Sequence, residues 1–275
     1  MGRVLIVAGS DSGGGAGIQA DIKAVTALGG YAATAITALT AQNTLGVLGI
    51  QEVSPDFVAL QMEAVLTDIG ADVIKLGMLG TARNVRRVAA TCQALAPSVP
   101  LVVDPVMVAK GGARLLDPDA EQALVEDLVR RAALITPNVP EAEALTGERI
   151  VDSAGLERVA MKLLLFGASA VLLKGGHLDG STVIDFLVTA DGAAHRFESP
   201  RLFTRSTHGT GCTLASAIAT GIAEGLTLYD SVARAREYVL EAIRTAPGLG
   251  EGHGPLNHGH PLVARAKENG ANRVH

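Results

Sequence analysis

The sequence predicts a doubly wound α/β protein: a mostly parallel central sheet with helices on both faces. Two observations lead there. Short apolar runs alternate, almost from end to end, with segments whose apolar residues recur every three to four positions. Parallel neighbours need a crossover between them, and a helix supplies it, so this order favours a parallel sheet. With 275 residues, of which 48% are hydrophobic, the chain can build a substantial core.

Residues 4–8 open as a strand, Ile18, Ile22, Val25 and Leu28 fall at helical spacing, and residues 32–39 form a second strand. Ser54 and Pro55 read as an N-cap with proline at the first helical position, leading a helix through Phe57, Leu60 and Val65. Then come a strand at residues 73–76, a helix after Thr81, a strand at 101–103 and a helix after Asp117-Pro118. A strand at 133–135, a helix ending before Gly167 and a strand at 170–173 complete the alternation. Residues 182–188 and 194–198, separated by Ala190-Asp191-Gly192, read instead as an antiparallel hairpin, and two helices follow through about residue 246. There is no repeat and no Pro/Ser-rich linker. Residues 1–260 are therefore expected to form one domain without a large lid, and residues 261–275, of weak periodicity, a tail that frays.

Composition narrows the function. Lys plus Arg is 23 against 28 for Asp plus Glu, a net charge of −5 with no basic block, so nucleic acid is not an expected partner. Five Phe, three Tyr and no Trp leave little material for stacking bases. Cys92 and Cys212 have no CxxC spacing and nothing at the N-terminus resembles an export signal, which places the chain in a reducing, cytoplasmic setting. No charge occurs between Lys23 and Glu52, but Gly29-Gly30, five threonines and Gln42-Asn43 interrupt that stretch. It reads as buried soluble structure rather than a membrane span.

Open α/β sheets bind ligands beyond the carboxyl ends of their strands, so the residue after each apolar run matters most. Those positions are polar: Gly9-Ser10-Asp11 with the glycines that follow, Asp104, Thr136-Pro137-Asn138 and Lys174-Gly175-Gly176. A carboxylate, an amide and an ammonium brought to one crevice suit a metal-bound polyphosphate. Taken singly, each is equally an ordinary strand-end residue. Neither GxxxxGK[ST] nor a complete GxGxxG occurs, which disfavours P-loop NTPases and dehydrogenases. Thr207-His208-Gly209-Thr210-Gly211-Cys212 directly precedes a helix of small residues, and such a turn presents backbone N–H groups to an anion. Cys212 in that first turn is expected to have its thiolate favoured by the same field, although a small thiol packing a tight turn fits the position as well. Cys92 reads as core. His253, His258 and His260 lie close in sequence, but their gaps match no helical two-histidine metal site, and the glycines around them suit a loop.

The motifs, taken together and in order, resemble one family. They are Gly9-Ser-Asp-Ser-Gly-Gly-Gly-Ala-Gly-Ile-Gln-Ala-Asp21, Thr37-Ala-Leu-Thr-Ala-Gln-Asn-Thr44, Lys75-Leu-Gly-Met78, Asp104-Pro-Val-Met107, Thr136-Pro-Asn-Val-Pro-Glu141, Leu173-Lys-Gly-Gly-His177 and Thr207-His-Gly-Thr-Gly-Cys212. The likeness is to hydroxymethylpyrimidine/phosphomethylpyrimidine kinases of thiamin biosynthesis, within the ribokinase-like superfamily, and runs from about residue 4 to about residue 258.

The resemblance implies MgATP-dependent phosphorylation of 4-amino-5-hydroxymethyl-2-methylpyrimidine to its monophosphate and then its diphosphate. It implies ATP and Mg²⁺ as cofactors and a homodimer, for which the charge-free stretch offers an interface. By the same likeness Asp21, Gln42 and Met78 face the pyrimidine; a Gln amide offers both donor and acceptor to an aminopyrimidine edge. Lys174, Asn138, Thr207 and His208 serve ATP, Asp104 and Glu141 the metal, and Gly209, Thr210 and Gly211 the anion hole. Cys212 stands where sugar kinases of the superfamily carry an Asp base, and is the expected proton acceptor. Two other readings stay open: a pyridoxal kinase of the same superfamily, and a catalytically silent pyrimidine- or nucleotide-binding regulator. The thiamin-phosphate synthase fused to some relatives is not expected in this chain. The hairpin at 182–198 or the stretch around residues 41–49 is the expected cover of the site.

Overall fold

A computed structural model of the chain describes residues 1–108, 112 and 115–262. Nine strands form one sheet in the order β3-β2-β1-β4-β5-β6-β7-β8-β9. They are β1 Arg3–Asp11, β2 Tyr31–Gln42, β3 Val47–Glu52, β4 Val73–Leu76, β5 Leu101–Val103, β6 Leu134–Ile135, β7 Ala170–Lys174, β8 Thr182–Thr189 and β9 Ala194–Pro200. From β2 through β7 in that order all neighbours pair in parallel, and β3, β8 and β9 are added antiparallel at the edges. The expected doubly wound architecture is the observed one.

Alternation across the pleat divides the core in two. Leu5, Val7, Ile74, Leu76, Leu101 and Val103 face one layer, made by α2 (Pro55–Leu66), α3 (Ala82–Leu95), α4 (Pro118–Ala123), α5 (Val139–Thr146) and α6 (Ser153–Leu164). Val4, Ile6, Ala8, Val73 and Val102 face the other, made by α1 (Gly17–Ala27), α7 (Thr210–Ala223) and α8 (Leu228–Arg244). Each such buried aliphatic side chain contributes about 1.5–3 kcal/mol. The N-cap expected at Ser54 is in place, and the helix expected after Thr81 is capped by that residue. Ser54 Oγ accepts from the Phe57 amide with Pro55 at the first helical position, and Thr81 Oγ1 accepts from the Asn84 amide. Cys92 is fully buried, as expected of a core thiol.

The chain leaves β1 toward β2 on one side and reaches β4 on the other, so the strand order reverses beside β1. That reversal opens a crevice at the carboxyl ends.

Three features differ from the expected elements. The helix expected before Gly167 is two, α5 and α6, because Gly147 adopts φ 72° and closes the first. After α4 the backbone continues through a π turn, residues 124–128, and a 3₁₀ turn, residues 129–131. The charge-free stretch is not buried throughout. It holds the additional strand β3, and Leu45, Leu48 and Ile50 are exposed on the β2–β3 hairpin because β3 is an edge strand with no layer over it. Of the expected tail, Pro261 and Leu262 continue a helical turn, and 263–275 lie outside the described residues. Among the described residues, no helix is long and apolar enough to cross a membrane.

Candidate active site

The crevice is a cavity of about 890 Å³ running from the end of β1 to the groove between β8, β9 and α8. One end is lined by Gly9, Thr40, Gln42, Met78 and Val106; the other by Val183, Pro200, Leu202, Leu214, Val239 and Ile243. Between them lie Asp104, Asn138, Glu141, Lys174 and the turn of residues 207–212.

That turn forms the start of α7. Gly209 is the N-cap with φ 81°, and a Cβ there would stand 1.8 Å from the Gly15 carbonyl oxygen, so only glycine allows the two loops to meet. Thr210 Oγ1 donates to the Thr207 carbonyl (2.8 Å), which ties the turn to itself. The Gly211 and Cys212 amides have no partner among the described residues and open on the cavity. With the positive end of a 14-residue helix behind them, they make an anion hole.

Opposite it, Lys174 Nζ donates to Asp104 Oδ1 at 3.0 Å, and Thr136 Oγ1 donates to the same oxygen at 3.1 Å. Burial works against the Lys174 ammonium, but Asp104 and Glu141 hold its pKa above the ordinary value. Asn138 and Glu141 form a reciprocal capping box on α5: Asn138 Oδ1 accepts from the Glu141 amide (2.9 Å) and Glu141 Oε2 from the Asn138 amide (2.8 Å). The NxxE spacing is thus a helix cap as well as a candidate metal motif. Burial pushes the Glu141 carboxyl up to about 7, opposed by Lys174 and reinforced by Asp104.

Three expectations change at this point. Cys212 lines the cavity, but its thiolate is not favoured: burial pushes the thiol up to about 12 against the opposing Lys75 ammonium and Gly17 amide, with the Asp21 and Asp104 carboxylates adding to the rise. Asp21 does not line the cavity. It is fully buried beneath it, accepting from both Lys75 Nζ (2.9 Å to each oxygen) and Ser216 Oγ (2.7 Å), and the residue it supports at the cavity floor is Lys75. Burial disfavours the Lys75 ammonium, yet Asp21 keeps its pKa raised. His208, expected on ATP, is tied instead to the far loop: its Nε2 donates to Asp11 Oδ2 at 2.8 Å. The three histidines near the C-terminus form no metal cluster among the described residues: His258 meets the Tyr238 hydroxyl, and His260 the Tyr238 carbonyl. Gln42 and Met78 line the end of the cavity beside β1, and Thr207, Lys174, Asn138, Asp104 and Glu141 converge on the middle.

Comparison with known proteins gives this geometry a family. The family model for phosphomethylpyrimidine kinase matches residues 11–257. The chain belongs to the phosphomethylpyrimidine kinase family. It is 55% identical over 258 residues to the thiamine biosynthesis bifunctional protein of Geobacter sulfurreducens, covering 94% of this chain and 52% of that one, so it spans about half that protein's length. It is 46% identical to a hydroxymethylpyrimidine/phosphomethylpyrimidine kinase of Rhizobium meliloti, over 93% of this chain and 96% of the relative. Among solved structures, phosphomethylpyrimidine kinase of Clostridium difficile superposes with TM-score 0.78 at 39% identity, covering 88% of this chain and all (100%) of that one. The ADP complex of Bacillus subtilis pyridoxal kinase superposes with TM-score 0.86 at 31% identity, covering 96% and 99%. The fold is ribokinase-like.

The donor set suits Mg²⁺ carried on a phosphate: two carboxylates, Asp104 and Glu141, stand beside the anion hole, and the described residues form no all-protein cage. Several lining residues had no assigned role in the sequence reading. Asp11 accepts from the Gly13, Gly15 and Ala16 amides and so shapes the first loop; burial opposes its charge, but His208 and these amides hold its carboxyl below the ordinary range. Arg236 Nε donates to Asp185 Oδ2 (2.9 Å), whose other oxygen accepts from the Gly175 amide (2.8 Å). Arg201 donates to the carbonyls of Gly176, Leu178 and Gly180, clamping the loop after β7. The polar residue after a strand was a readable signal for Asp11; nothing local marks Arg201 or Arg236.

Proposed function

We propose that the chain transfers the γ-phosphoryl group of MgATP to the hydroxymethyl oxygen of 4-amino-5-hydroxymethyl-2-methylpyrimidine, and then a second phosphoryl group to the resulting monophosphate. The observation that carries this reading is one cavity in which unpartnered N–H groups of Gly211 and Cys212 face Lys174 and Asp104, with a Gln amide at one end and an apolar groove at the other. The groove of Val183, Pro200, Leu202, Leu214 and Val239 suits the flat base of a nucleotide. Lys174, Asn138 and Thr207 then stand along its phosphates, and Gln42 and Met78 beside the pyrimidine.

Asp104 and Glu141 would hold Mg²⁺, which would supply neutralisation of the phosphate charge. The anion hole supports the equatorial oxygens of the transferred group, where charge is greatest in a loose transition state. Cys212 is the proton acceptor for the attacking hydroxyl. It acts as the thiolate, which takes up the hydroxyl proton and becomes the neutral thiol; with burial pushing that thiol up to about 12, the competent form is a minor one at neutral pH. Residues 1–260 act as one kinase unit. The exposed apolar side chains Leu39, Leu45, Leu48 and Ile50 support a homodimer through the β2–β3 hairpin, and two free thiols suit a reducing cytoplasm.

The superposition on pyridoxal kinases favours one second reading, phosphorylation of pyridoxal. ADP release with MgATP is the test, comparing the free pyrimidine, its monophosphate and pyridoxal. Turnover of both pyrimidines is expected. Turnover of pyridoxal alone transfers the site to that substrate, and silence on all three leaves a binding protein.

A further inference from the structure

The terminal atoms of the Gln42 amide have two close neighbours in the protein, and these settle which end is which. One end lies 3.1 Å from His208 Nε2, the other 3.3 Å from Thr40 Oγ1. His208 Nε2 also lies 2.8 Å from Asp11 Oδ2, and Asp11 is an ionised carboxylate that already accepts from three backbone amides. A carboxylate only accepts, so His208 Nε2 carries a hydrogen and has no lone pair left, whether the ring is neutral or charged. Its Gln42 neighbour must therefore be the amide oxygen, sharing that N–H with Asp11. The other end gives the same answer independently. Thr40 Oγ1 donates its one hydrogen to the Ser10 carbonyl at 3.0 Å, so toward Gln42 it can only accept, and what faces it must be the amide NH₂. The ring that enforces this cannot swing: Gly15 packs so closely that a Cβ there would stand 2.4 Å from His208 Cδ2, and the His208 amide donates to the Gly254 carbonyl at 3.1 Å.

We propose that His208 and Thr40 are specificity-determining residues, which fix the Gln42 amide with its oxygen toward the anion-binding turn and its NH₂ toward the end of β1. This rests on the functional reading above. The oxygen end lies nearer the turn because His208 directly precedes Gly209, and each end of the amide keeps one free site, a lone pair or an N–H, for a ligand in the cavity. In the aminopyrimidine, the 4-amino donor sits on the ring carbon next to the one bearing the hydroxymethyl arm, and the ring-nitrogen acceptor lies one atom further away. With the arm directed at Cys212, the donor meets the Gln42 oxygen and the acceptor meets its NH₂. A ring with an acceptor beside the arm, such as the aldehyde of pyridoxal, sets two acceptors against each other.

The test compares kcat/KM for the natural 4-amino substrate with that for its 4-oxo analogue, 5-hydroxymethyl-2-methylpyrimidin-4(3H)-one. There the order is reversed: an acceptor beside the arm and an N–H beyond it. Wild type is expected to favour the amino compound by at least about 100-fold, since two buried hydrogen bonds are inverted. In His208→Leu and in Thr40→Val the amide is released from one side. The ratio is then expected to fall to within about tenfold, chiefly through gain on the oxo analogue. His208→Gln, which can return an N–H to Asp11, is expected to restore much of it. An unchanged ratio in Thr40→Val and in any active His208→Leu preparation overturns the assignment, as does a wild type that does not discriminate. If wild type phosphorylates only pyridoxal, the functional reading itself has failed; if it phosphorylates the aminopyrimidine while the ratio ignores both substitutions, only the assignment has.

Discussion

Gly209→Ala isolates the anion hole from the rest of the cavity. The substitution places a methyl group 1.8 Å from the Gly15 carbonyl oxygen, where ordinary contact begins at 3.4 Å, so one of the two loops must yield by about 1.6 Å. Residue 209 also holds φ 81°, which costs a non-glycine residue about 1–2 kcal/mol. Relief comes from moving the turn, because Gly15 is anchored through the Asp11 carboxylate by three backbone hydrogen bonds clustered around it. The Gly211 and Cys212 amides move with the turn. A misplacement near 1 Å at a reacting centre costs about 100-fold. The expected result is a kcat at least about 100-fold lower in a coupled ADP-release assay, with KM for the pyrimidine changed much less and a melting temperature lowered by a few degrees. A variant that keeps kcat within about threefold of wild type would refute the placement of the transferred phosphoryl group at this turn.

Further outcomes follow from the same geometry. Lys174→Ala should raise KM for ATP and lower kcat, while Asp104, left without its 3.0 Å partner, also costs stability; unchanged ATP kinetics removes Lys174 from the phosphates. Cys212→Ala should lower kcat by about 10²–10⁴ with the fold intact, and wild-type Cys212 should alkylate slowly at neutral pH, about tenfold faster per unit of pH until its pKa near 12. Reactivity like that of free cysteine at pH 7.5 would contradict the burial argument. His258 is held neutral: burial, then Lys23 and His260, lower its pKa from 6.5 to about 4, and its Nε2 has no partner among the described residues. The unfolded chain therefore binds the extra proton between those values. Its contribution is whole above pH 6.5 and is lost as pH falls toward 4, by up to about 3 kcal/mol, in denaturant titrations of wild type against His258→Gln. Parallel curves for the two proteins over that range would show that the ring is solvated.

The parallel part of the fold was legible because period and punctuation agreed: apolar runs of β-type, proline or threonine at helix starts, and polar residues where strands end. β3 was not, because in this edge strand the apolar Val47, Leu48 and Ile50 surround Gly49 without the alternation of a half-buried strand, and no layer covers them. The division between α5 and α6 turned on a single glycine, Gly147. In the site, the sequence located the strand-end residues but not the pairings among them. Asp104 with Lys174, 70 positions apart, and Asp11 with His208, 197 apart, are products of topology. The Cys212 thiol shows the same limit. Its place at a helix N-terminus argued for a thiolate, and only the fold reveals that Asp21 and Asp104 face it in a buried setting.

In the proposed reaction one cavity adds two phosphoryl groups in succession to one pyrimidine. Incubating the purified chain with the free hydroxymethylpyrimidine and excess MgATP, and following phosphorus NMR together with ADP release, tests it directly. A monoester signal should rise and then decay as diphosphate signals grow, with ADP release approaching two per pyrimidine. A reaction that stops at the monoester with one ADP per pyrimidine, or that releases ADP only when pyridoxal is supplied, would contradict it.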